Sequence, residues 1–434
     1  MTFNLKKQVA ELAVALFLSF SCFSILWMLA ANSSPNLSPQ SESSRVLVIA
    51  NQNSPVSLRV AQYYMQRRGI PNENFLTLDL PDSSLLPIFE TISYPTYQKK
   101  VEQILRDFLT RKQLVNHIRY IVLTKGIPLR VKDVTHSLAG GETFKQNQSL
   151  DSTLAALDYK IPPIAFKDME YKEGKEAFGM LTPNLYWRQS YPFEHRLSGG
   201  YLVTRLDGYS EADARSLVDR ALTSRPSLSG TVLIDPSGNN ESSGEPQIID
   251  IFDPKSCVPQ TIPNCVPLPK AMVEVSEQIY NNDLQLSEQS IKATFPQLQV
   301  VLAPPRSFAV RQDLIAYASW GSNDEFFHLE SYHDLQFLPG AIAETVVSSS
   351  GRTFFPTRRG QSLIGDLIAH GRGVTGIRGY TEEPEIQGIG SPSILFRDYL
   401  KGANLATSYY RSIRFVGWRD LVLGDPLATV TFTQ

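Results

Sequence analysis

Cysteine and histidine are scarce in this chain of 434 residues, which contains three cysteines and six histidines. Three cysteines are too few for the disulfide framework that holds many small secreted domains together. The sequence also lacks runs of basic residues, and its 41 lysines and arginines are balanced by 43 aspartates and glutamates. A nucleic-acid partner is therefore not expected. A hydrophobic content of 42% over this length is enough to bury a large core.

Charge is absent from the segment Leu12 to Ala31, which follows Lys6 and Lys7. A helix of these 20 residues rises about 30 Å, the thickness of the bilayer core, and the lysines favour a cytoplasmic N-terminus. The alternative is a cleaved signal peptide, whose apolar region is usually shorter, at about 7–15 residues. We predict that residues 1–31 form a retained signal anchor. It contacts the lipid bilayer through residues 12–31 and holds the rest of the chain outside the cytoplasm.

Two further segments are typical of loops. Residues 32–44 contain six serines and two prolines, which predicts a flexible tether between the membrane and the folded part. Residues 239–269 form a proline-rich insertion that includes Cys257 and Cys265. In an oxidising compartment a disulfide between these cysteines would close the loop, and two free surface thiols are the alternative.

The remaining chain alternates short apolar runs with amphipathic segments. The continuous run from Val46 to Ile49 is typical of a strand that is buried on both faces. Strands are predicted at 45–50, 75–80, 117–123, 201–206, 231–234, 300–302, 314–319, 340–347 and 374–380. Helices are predicted at 58–68, 97–114, 210–221, 271–281, 362–370, 391–400 and 405–411.

This alternation predicts an α/β fold of caspase-like or flavodoxin-like type, with a mostly parallel sheet and helices on both faces. We divide the folded part into an N-terminal α/β subdomain at 45–131 and a C-terminal caspase-like subdomain at 201–434. Residues 132–200 show no regular period and are interpreted as an irregular connecting region.

One glycine pattern resembles a nucleotide-binding motif but is in the wrong context. Gly371, Gly373 and Gly376 match G-x-G-x-x-G, yet a predicted helix precedes them and a predicted strand follows. Dinucleotide binding needs the reverse order, so that the helix N-terminus meets the pyrophosphate. The pattern is interpreted as a helix-to-strand turn, and no cofactor is expected.

Four potential metal ligands lie within the seven residues from His328 to Asp334. His328 and His333 are five residues apart, so they do not share a helix face as the histidines of zinc proteases do. In a loop, His328, Glu330 and His333 could still converge on a metal, which makes them weak candidates. The alternative is that histidines in this aromatic-rich loop are packing or surface residues.

Polar clusters directly after two strands are a stronger signal, because ligands bind outside the carboxyl ends of parallel strands. The candidate binding residues of these clusters are Trp320, Gly321, Ser322, Asn323, Ser348 and Ser350. A serine nucleophile also needs a neighbouring base, so the catalytic hypothesis combines Ser349 with His328 or His333, oriented by Asp324. The alternative is that both clusters are ordinary polar turns.

The order of these elements from Leu314 to Ala428 resembles the catalytic half of gingipain-type cysteine peptidases, which are relatives of the caspases. In that family one strand ends in His-Gly and the next in a small-residue turn that carries the cysteine nucleophile. A glycine-containing strand and a closing L-x-G-D-P follow. The corresponding segments here are Trp320-Gly321, Ser348–Gly351, Gly371–Ile377 and Leu423–Pro426.

The chain differs from that family at the two catalytic positions. Trp320 stands at the position of the histidine, and no cysteine follows Cys265 in the sequence. The catalytic dyad of that family is therefore missing, and cysteine-peptidase activity is not expected.

Most of the exported region, from Arg45 to Thr429, also resembles a family of uncharacterised bacterial envelope proteins. The resemblance lies in Ile121–Arg130, Ser319–Asp324 and Pro339–Thr345, and it implies no activity. Together these observations predict a membrane-anchored, non-catalytic peptidase-like domain that binds a peptide, glycan or protein partner at the strand ends. A serine hydrolase at the same place and a metal site at 328–334 are the alternatives.

Overall fold

The computed structural model describes residues 42–137, 143–159, 161, 163–167, 178–224, 230–236, 277–304, 306–369, 371 and 373–430. The predicted anchor, nearly all of the tether, and the insertion with Cys257 and Cys265 lie outside the described residues. Within the described ranges, no helix has both the length and the apolar character needed to cross a membrane. The described residues from Ser43 onward form one compact unit.

Sixteen strands are present in the described part of the chain. They are β1 Val46–Asn51, β2 Phe75–Leu78, β3 Thr91–Ser93, β4 Tyr120–Thr124, β5 Arg130–Ser137, β6 Thr143–Ser149, β7 Ile164–Lys167, β8 Phe178–Pro183, β9 Leu202–Leu206, β10 Thr231–Asp235, β11 Gln299–Leu302, β12 Leu314–Ser319, β13 Phe337–Thr345, β14 Gly376–Tyr380, β15 Phe415–Val416 and β16 Asp420–Gly424.

The helices of the same ranges are mostly short. They are α1 Pro55–Arg68, α2 Tyr94–Tyr97, α3 Gln103–Arg111, α4 Leu150–Ala155, α5 His195–Ser198, α6 Glu211–Leu222, α7 Glu277–Thr294, α8 Leu329–His333, α9 Ile364–Ala369, α10 Glu385–Gly388, α11 Pro392–Leu400 and α12 Leu405–Ser412.

Ten strands form a central sheet in the order β11-β10-β12-β13-β14-β16-β9-β4-β1-β2. Strands β2, β1, β4 and β9 form one parallel block, and β11, β10, β12, β13 and β14 form another. Strand β16 lies between the blocks and runs antiparallel to β14. The predicted α/β fold with a mostly parallel sheet is therefore confirmed.

Local sequence explains why the predicted helices begin and end where they do. Ser54 caps α1 by accepting a hydrogen bond from the Ser57 amide, and Gly69 ends the helix in the left-handed region at φ 63°. Ser210 and Asp213 form a capping box at the start of α6. Strand β1 is buried along its whole length, as its continuous apolar run predicts.

Residues 132–200 differ from the irregular region that the sequence predicts. They contain β5, β6, β7 and β8, which belong to two small three-stranded sheets, β3-β5-β6 and β15-β8-β7. The alternation of β6 is hidden because its buried positions hold polar residues, Gln146 and Gln148, whose side chains are hydrogen bonded. A hydrophobic period therefore does not mark this strand.

Candidate functional site

The two polar clusters that follow β12 and β13 lie side by side. The strands pair in parallel with Ser319 opposite Thr345, so their carboxyl ends reach the same edge of the sheet. Asn323 donates a hydrogen bond from Nδ2 to the Val346 carbonyl oxygen at 2.7 Å. The first turn is thus bonded directly to the end of the strand that leads into the second turn.

A loop that follows the second cluster holds the turns together. The Ser362 amide donates to Ser322 Oγ at 2.9 Å, and the Ser322 amide donates back to Ser362 Oγ at 3.3 Å. Gln361 Oε1 accepts from the amide and the hydroxyl of Ser349, at 3.1 and 2.7 Å, while its Nε2 donates to Asn323 Oδ1 at 2.8 Å. One glutamine side chain therefore connects both turns.

Replacing Gln361 with alanine is expected to lower the free energy of unfolding by about 1–3 kcal/mol, because the side-chain partners on both turns lose their hydrogen bonds. Amide hydrogen exchange should accelerate in residues 321–324 and 348–352 and stay unchanged in β1 and β4. Gln361→Glu keeps the acceptor and removes the donor, so it should loosen the Asn323 turn more than the Ser349 turn. Equal protection in all three proteins would contradict the bridging role.

A cleft of about 490 Å³ opens beside these turns, within the usual size range of ligand pockets. We call it the strand-end cleft. It is lined by Phe327, Leu329, His333, Pro356, Thr357, Arg358, Gly360, Gln361, Ser362 and Asp366. Apolar side chains form part of the wall, and a cation, an anion and an imidazole lie among them.

His333 and Asp366 form an imidazole–carboxylate pair in the cleft. His333 Nε2 lies 3.5 Å from Asp366 Oδ2, and the Tyr209 hydroxyl donates to Asp366 Oδ1 at 2.7 Å. Burial, together with the nearby Asp366 charge, raises the pKa of Tyr209 well above its ordinary value, so its hydroxyl stays protonated and keeps donating. This arrangement fixes Asp366 against His333.

The candidate catalytic residues are not joined into one hydrogen-bonded chain. Ser349 Oγ donates to Gln361, and among the described residues it makes no hydrogen bond to a histidine ring. His328 is an exposed residue at the start of α8. Asp324 Oδ1 accepts from the Phe326 amide at 2.8 Å, so it stabilises its own turn. Burial raises the pKa of Asp324.

None of the six predicted binding residues is among those that line the cleft, and three of them are buried. Trp320 is 4% exposed, donates from Nε1 to Asn281 Oδ1 at 2.7 Å, and packs edge-on against Tyr280. Ser350 is buried. Gly321 adopts φ 48°, and a Cβ there would lie 2.7 Å from a methyl of Val347, so this turn requires glycine. These residues form part of the sheet edge beside which the cleft lies.

The weak metal candidates do not converge. The described residues include no group of three or more histidine, cysteine, aspartate or glutamate side chains that could hold a metal ion. Glu330 and His328 are exposed, while His333 faces Asp366. The five-residue spacing of the histidines in and before a single short helix separates their rings.

Sequence reasoning overlooked Arg358, Gln361 and Asp366, which line the cleft. None of them belongs to a recognisable motif. Their only signal is position, because they lie between the polar turn after β13 and the middle of the next predicted helix. In a parallel sheet that connection passes over the strand ends.

Comparisons with known proteins add little. No protein-family model matches the chain, and no curated protein matches it. One similar solved structure is described as "Structure of Protease", with 10% sequence identity and a TM-score of 0.43. The alignment covers 89% of this chain and 78% of that chain. This is a distant structural similarity.

Proposed function

We propose that this chain is a peptidase-like protein that binds a peptide in the strand-end cleft without cleaving it. The observation that carries the proposal is the cleft itself, which lies at the carboxyl ends of β12 and β13 where the sequence places its polar turns. Its turns are held by hydrogen bonds before any ligand arrives, and a preorganised site lowers the entropic cost of binding.

The lining suits a short peptide with an acidic group or a free C-terminal carboxylate. Phe327, Leu329 and Pro356 offer apolar surface for a side chain. The guanidinium of Arg358 is exposed at the cleft and can bind a carboxylate through two parallel hydrogen bonds. Asp366 repels a negative group and accepts a hydrogen bond from Tyr209, so a ligand carboxylate would bind at Arg358.

The absence of cleavage follows from the partner of Ser349. The side-chain oxygen of Gln361 accepts a hydrogen bond from the serine hydroxyl but is far too weak a base to remove its proton. Trp320 occupies the position of the histidine in the resembled peptidases and is buried against Asn281. The uncharged segment 12–31 supports the further proposal that a membrane anchor holds this domain outside the cytoplasm.

The test uses the full chain, immobilised, and a pool of random hexapeptides with free C-terminal carboxylates. The native protein should enrich a subset of the peptides, and Arg358→Glu should reduce that enrichment at least tenfold because a repulsive charge replaces an attractive one. Mass spectrometry of the eluted peptides measures the enrichment.

Arg359→Glu is the matched control, since it makes the same charge change one residue away at an exposed position that does not line the cleft. It should leave the enrichment within about twofold of the native protein. An equal loss in both variants, or no enrichment by the native protein, would refute the cleft as a peptide site.

The second candidate function is hydrolysis, which the His333–Asp366 pair favours, because a carboxylate beside an imidazole is how many hydrolases orient their base. The same incubations decide it. New peptide termini that disappear in both Ser349→Ala and His333→Ala would show that hydrogen bonds rearrange when substrate binds. Intact peptides after prolonged incubation support binding alone.

A further inference from the structure

A second cavity, of about 450 Å³, lies between the β5–β6 hairpin, α2 and α4. It shares no lining residue with the strand-end cleft. We call it the tyrosine cavity, because Tyr94, Tyr97 and Tyr159 contribute aromatic rings to its wall. Its polar lining includes Glu102, His136, Gln148 and Thr153.

The protein fixes the proton of His136. Gln146 Oε1 accepts from the Met180 amide at 2.8 Å and its Nε2 donates to the Met180 carbonyl at 2.7 Å, so the orientation of this side-chain amide is set. The same Nε2 lies 3.2 Å from His136 Nε2, and Gln148 Nε2 approaches that ring nitrogen at 3.1 Å. Nε2 of His136 must therefore accept, and the ring proton resides on Nδ1.

This arrangement makes His136 a neutral hydrogen-bond donor. Among the described residues Nδ1 has no hydrogen-bond partner, so its N–H is available to a ligand. Burial lowers the pKa of His136, which keeps the ring uncharged. The two amide donors directed at Nε2 also lower the pKa of the ring, because a proton on Nε2 would face two other hydrogen-bond donors.

The tyrosines supply flat apolar faces in fixed positions. Tyr94 and Tyr97 stack with their planes 12° apart. The Tyr159 hydroxyl donates to Asn184 Oδ1 at 3.0 Å and accepts from the Leu185 amide at 3.1 Å. Tyr97 is almost wholly buried and Tyr94 is partly exposed, so the stack reaches from the interior to the mouth of the cavity.

Glu102 also lines the cavity and provides a carboxylate acceptor. Its Oε1 accepts hydrogen bonds from Arg106 at 3.0–3.1 Å, and Arg106 also pairs with Asp158. An organic cation such as choline is attracted to the faces of aromatic rings, but its ammonium group cannot accept a hydrogen bond from an N–H. The Nδ1–H of His136 therefore finds no acceptor on such an ammonium group, whereas a hydroxyl oxygen can accept from it.

From these features we infer that the tyrosine cavity binds a saccharide. A sugar ring presents a flat face of C–H groups that packs on an aromatic ring, and its hydroxyls both donate and accept. The cavity matches both requirements, with tyrosine faces, one N–H donor and carboxylate and amide acceptors. This site does not depend on the proposed peptide cleft.

The experiment titrates the full chain with three trisaccharides, chitotriose, cellotriose and maltotriose, and with choline as a cationic probe, by isothermal calorimetry. At least one trisaccharide should bind. Tyr94→Leu, which keeps apolar bulk but removes the partly exposed ring, should weaken that binding at least tenfold. Tyr63→Leu changes a partly buried tyrosine on α1 outside the cavity and should leave the binding unchanged.

Glu102→Gln separates the two ligand classes. It preserves the shape and an acceptor oxygen, so trisaccharide binding should fall by no more than about threefold. Choline binding that Glu102→Gln abolishes would identify a cation cage and overturn the inference. So would the failure of all three trisaccharides to bind, or binding that Tyr94→Leu leaves intact.

Discussion

Replacing Arg205 with methionine is expected to lower the free energy of unfolding by about 3–5 kcal/mol. Arg205 is fully buried and donates from Nη2 to Asp151 Oδ2 at 2.6 Å and from Nε to Asp151 Oδ1 at 3.1 Å. It also donates to the carbonyl oxygens of Ile127 and Pro128, at 2.8 and 3.0 Å. Its removal leaves a buried carboxylate and two carbonyls without their donor.

The buried carboxylate is what makes this change severe. Burial already raises the pKa of Asp151, and the charge of Arg205 opposes that rise. Asp207 and Lys125 extend the cluster, with Lys125 Nζ 3.2 Å from Asp207 Oδ1. Arg205→Met also removes the Asp207 contact at 3.4 Å, which leaves one cation for two carboxylates. Urea titration followed by tryptophan fluorescence measures the loss.

Arg196→Met is the control, because Arg196 pairs with Glu194 at the surface and its side chain is 70% exposed. That change should cost less than about 1 kcal/mol. The double variant Arg205→Met with Asp151→Leu should recover part of the loss, since it removes the stranded charge. If Arg205→Met alone lowers the free energy of unfolding by less than about 1 kcal/mol, the cluster contributes little to stability.

Replacing Asp235 with asparagine is expected to stabilise the protein at pH 8 and to leave it almost unchanged at pH 4. Asp235 lies at the end of β10 and is 1% exposed. Burial raises its pKa to about 7 from an ordinary value of 3.8. Only Oδ2 has a hydrogen-bond donor among the described residues, the Ala309 amide at 3.2 Å, and an asparagine oxygen can accept the same bond.

The rise of this stabilisation with pH follows from proton linkage. Between about pH 4 and pH 7 the unfolded chain loses the Asp235 proton while the folded chain retains it, so rising pH favours the unfolded state by about 1.4 kcal/mol per unit for this group. Above pH 7 the penalty is constant. The advantage of Asp235→Asn should therefore grow from near zero at pH 4 to about 2–4 kcal/mol at pH 8.

Urea titrations at pH 4.5, 6 and 8 check this dependence. Asp79→Asn provides a control of opposite sign, because a hydrogen bond from Lys100 lowers the pKa of that exposed carboxylate. An advantage of Asp235→Asn that is the same at all three pH values would exclude titration as its cause.

The sequence predicts the sheet well where a strand is buried on both faces. Strands β1 and β12 consist almost entirely of apolar residues, so their runs are visible without any knowledge of the fold. Strand β6 is invisible to the same reasoning because Gln146 and Gln148 occupy its buried positions. Hydrogen bonds to Met180 and His136 offset the cost of burying these two side chains. Met180 is distant in the chain, and His136 lies in the adjacent strand β5.

The candidate site shows the same division. Ser322, Asn323 and Ser349 follow strands directly, so their meeting is predictable from the rule for parallel sheets. Whether a side chain at the end of a strand turns outward or inward depends on packing, and Trp320 turns inward to Asn281. Asp366 lies beside His333 because two short helices pack together, and no local pattern in the sequence predicts that contact.

Strand β16 lies between the two parallel blocks and comes last in chain order among the described strands of the central sheet. Until it is in place, β9 and β14 are open edges, each with unpaired backbone groups that can recruit another chain. The ribosome supplies this strand last, so neither block can join the other while the chain is being made. Assembly of the common sheet is therefore a late, long-range event, and the incomplete chain is the species most exposed to aggregation.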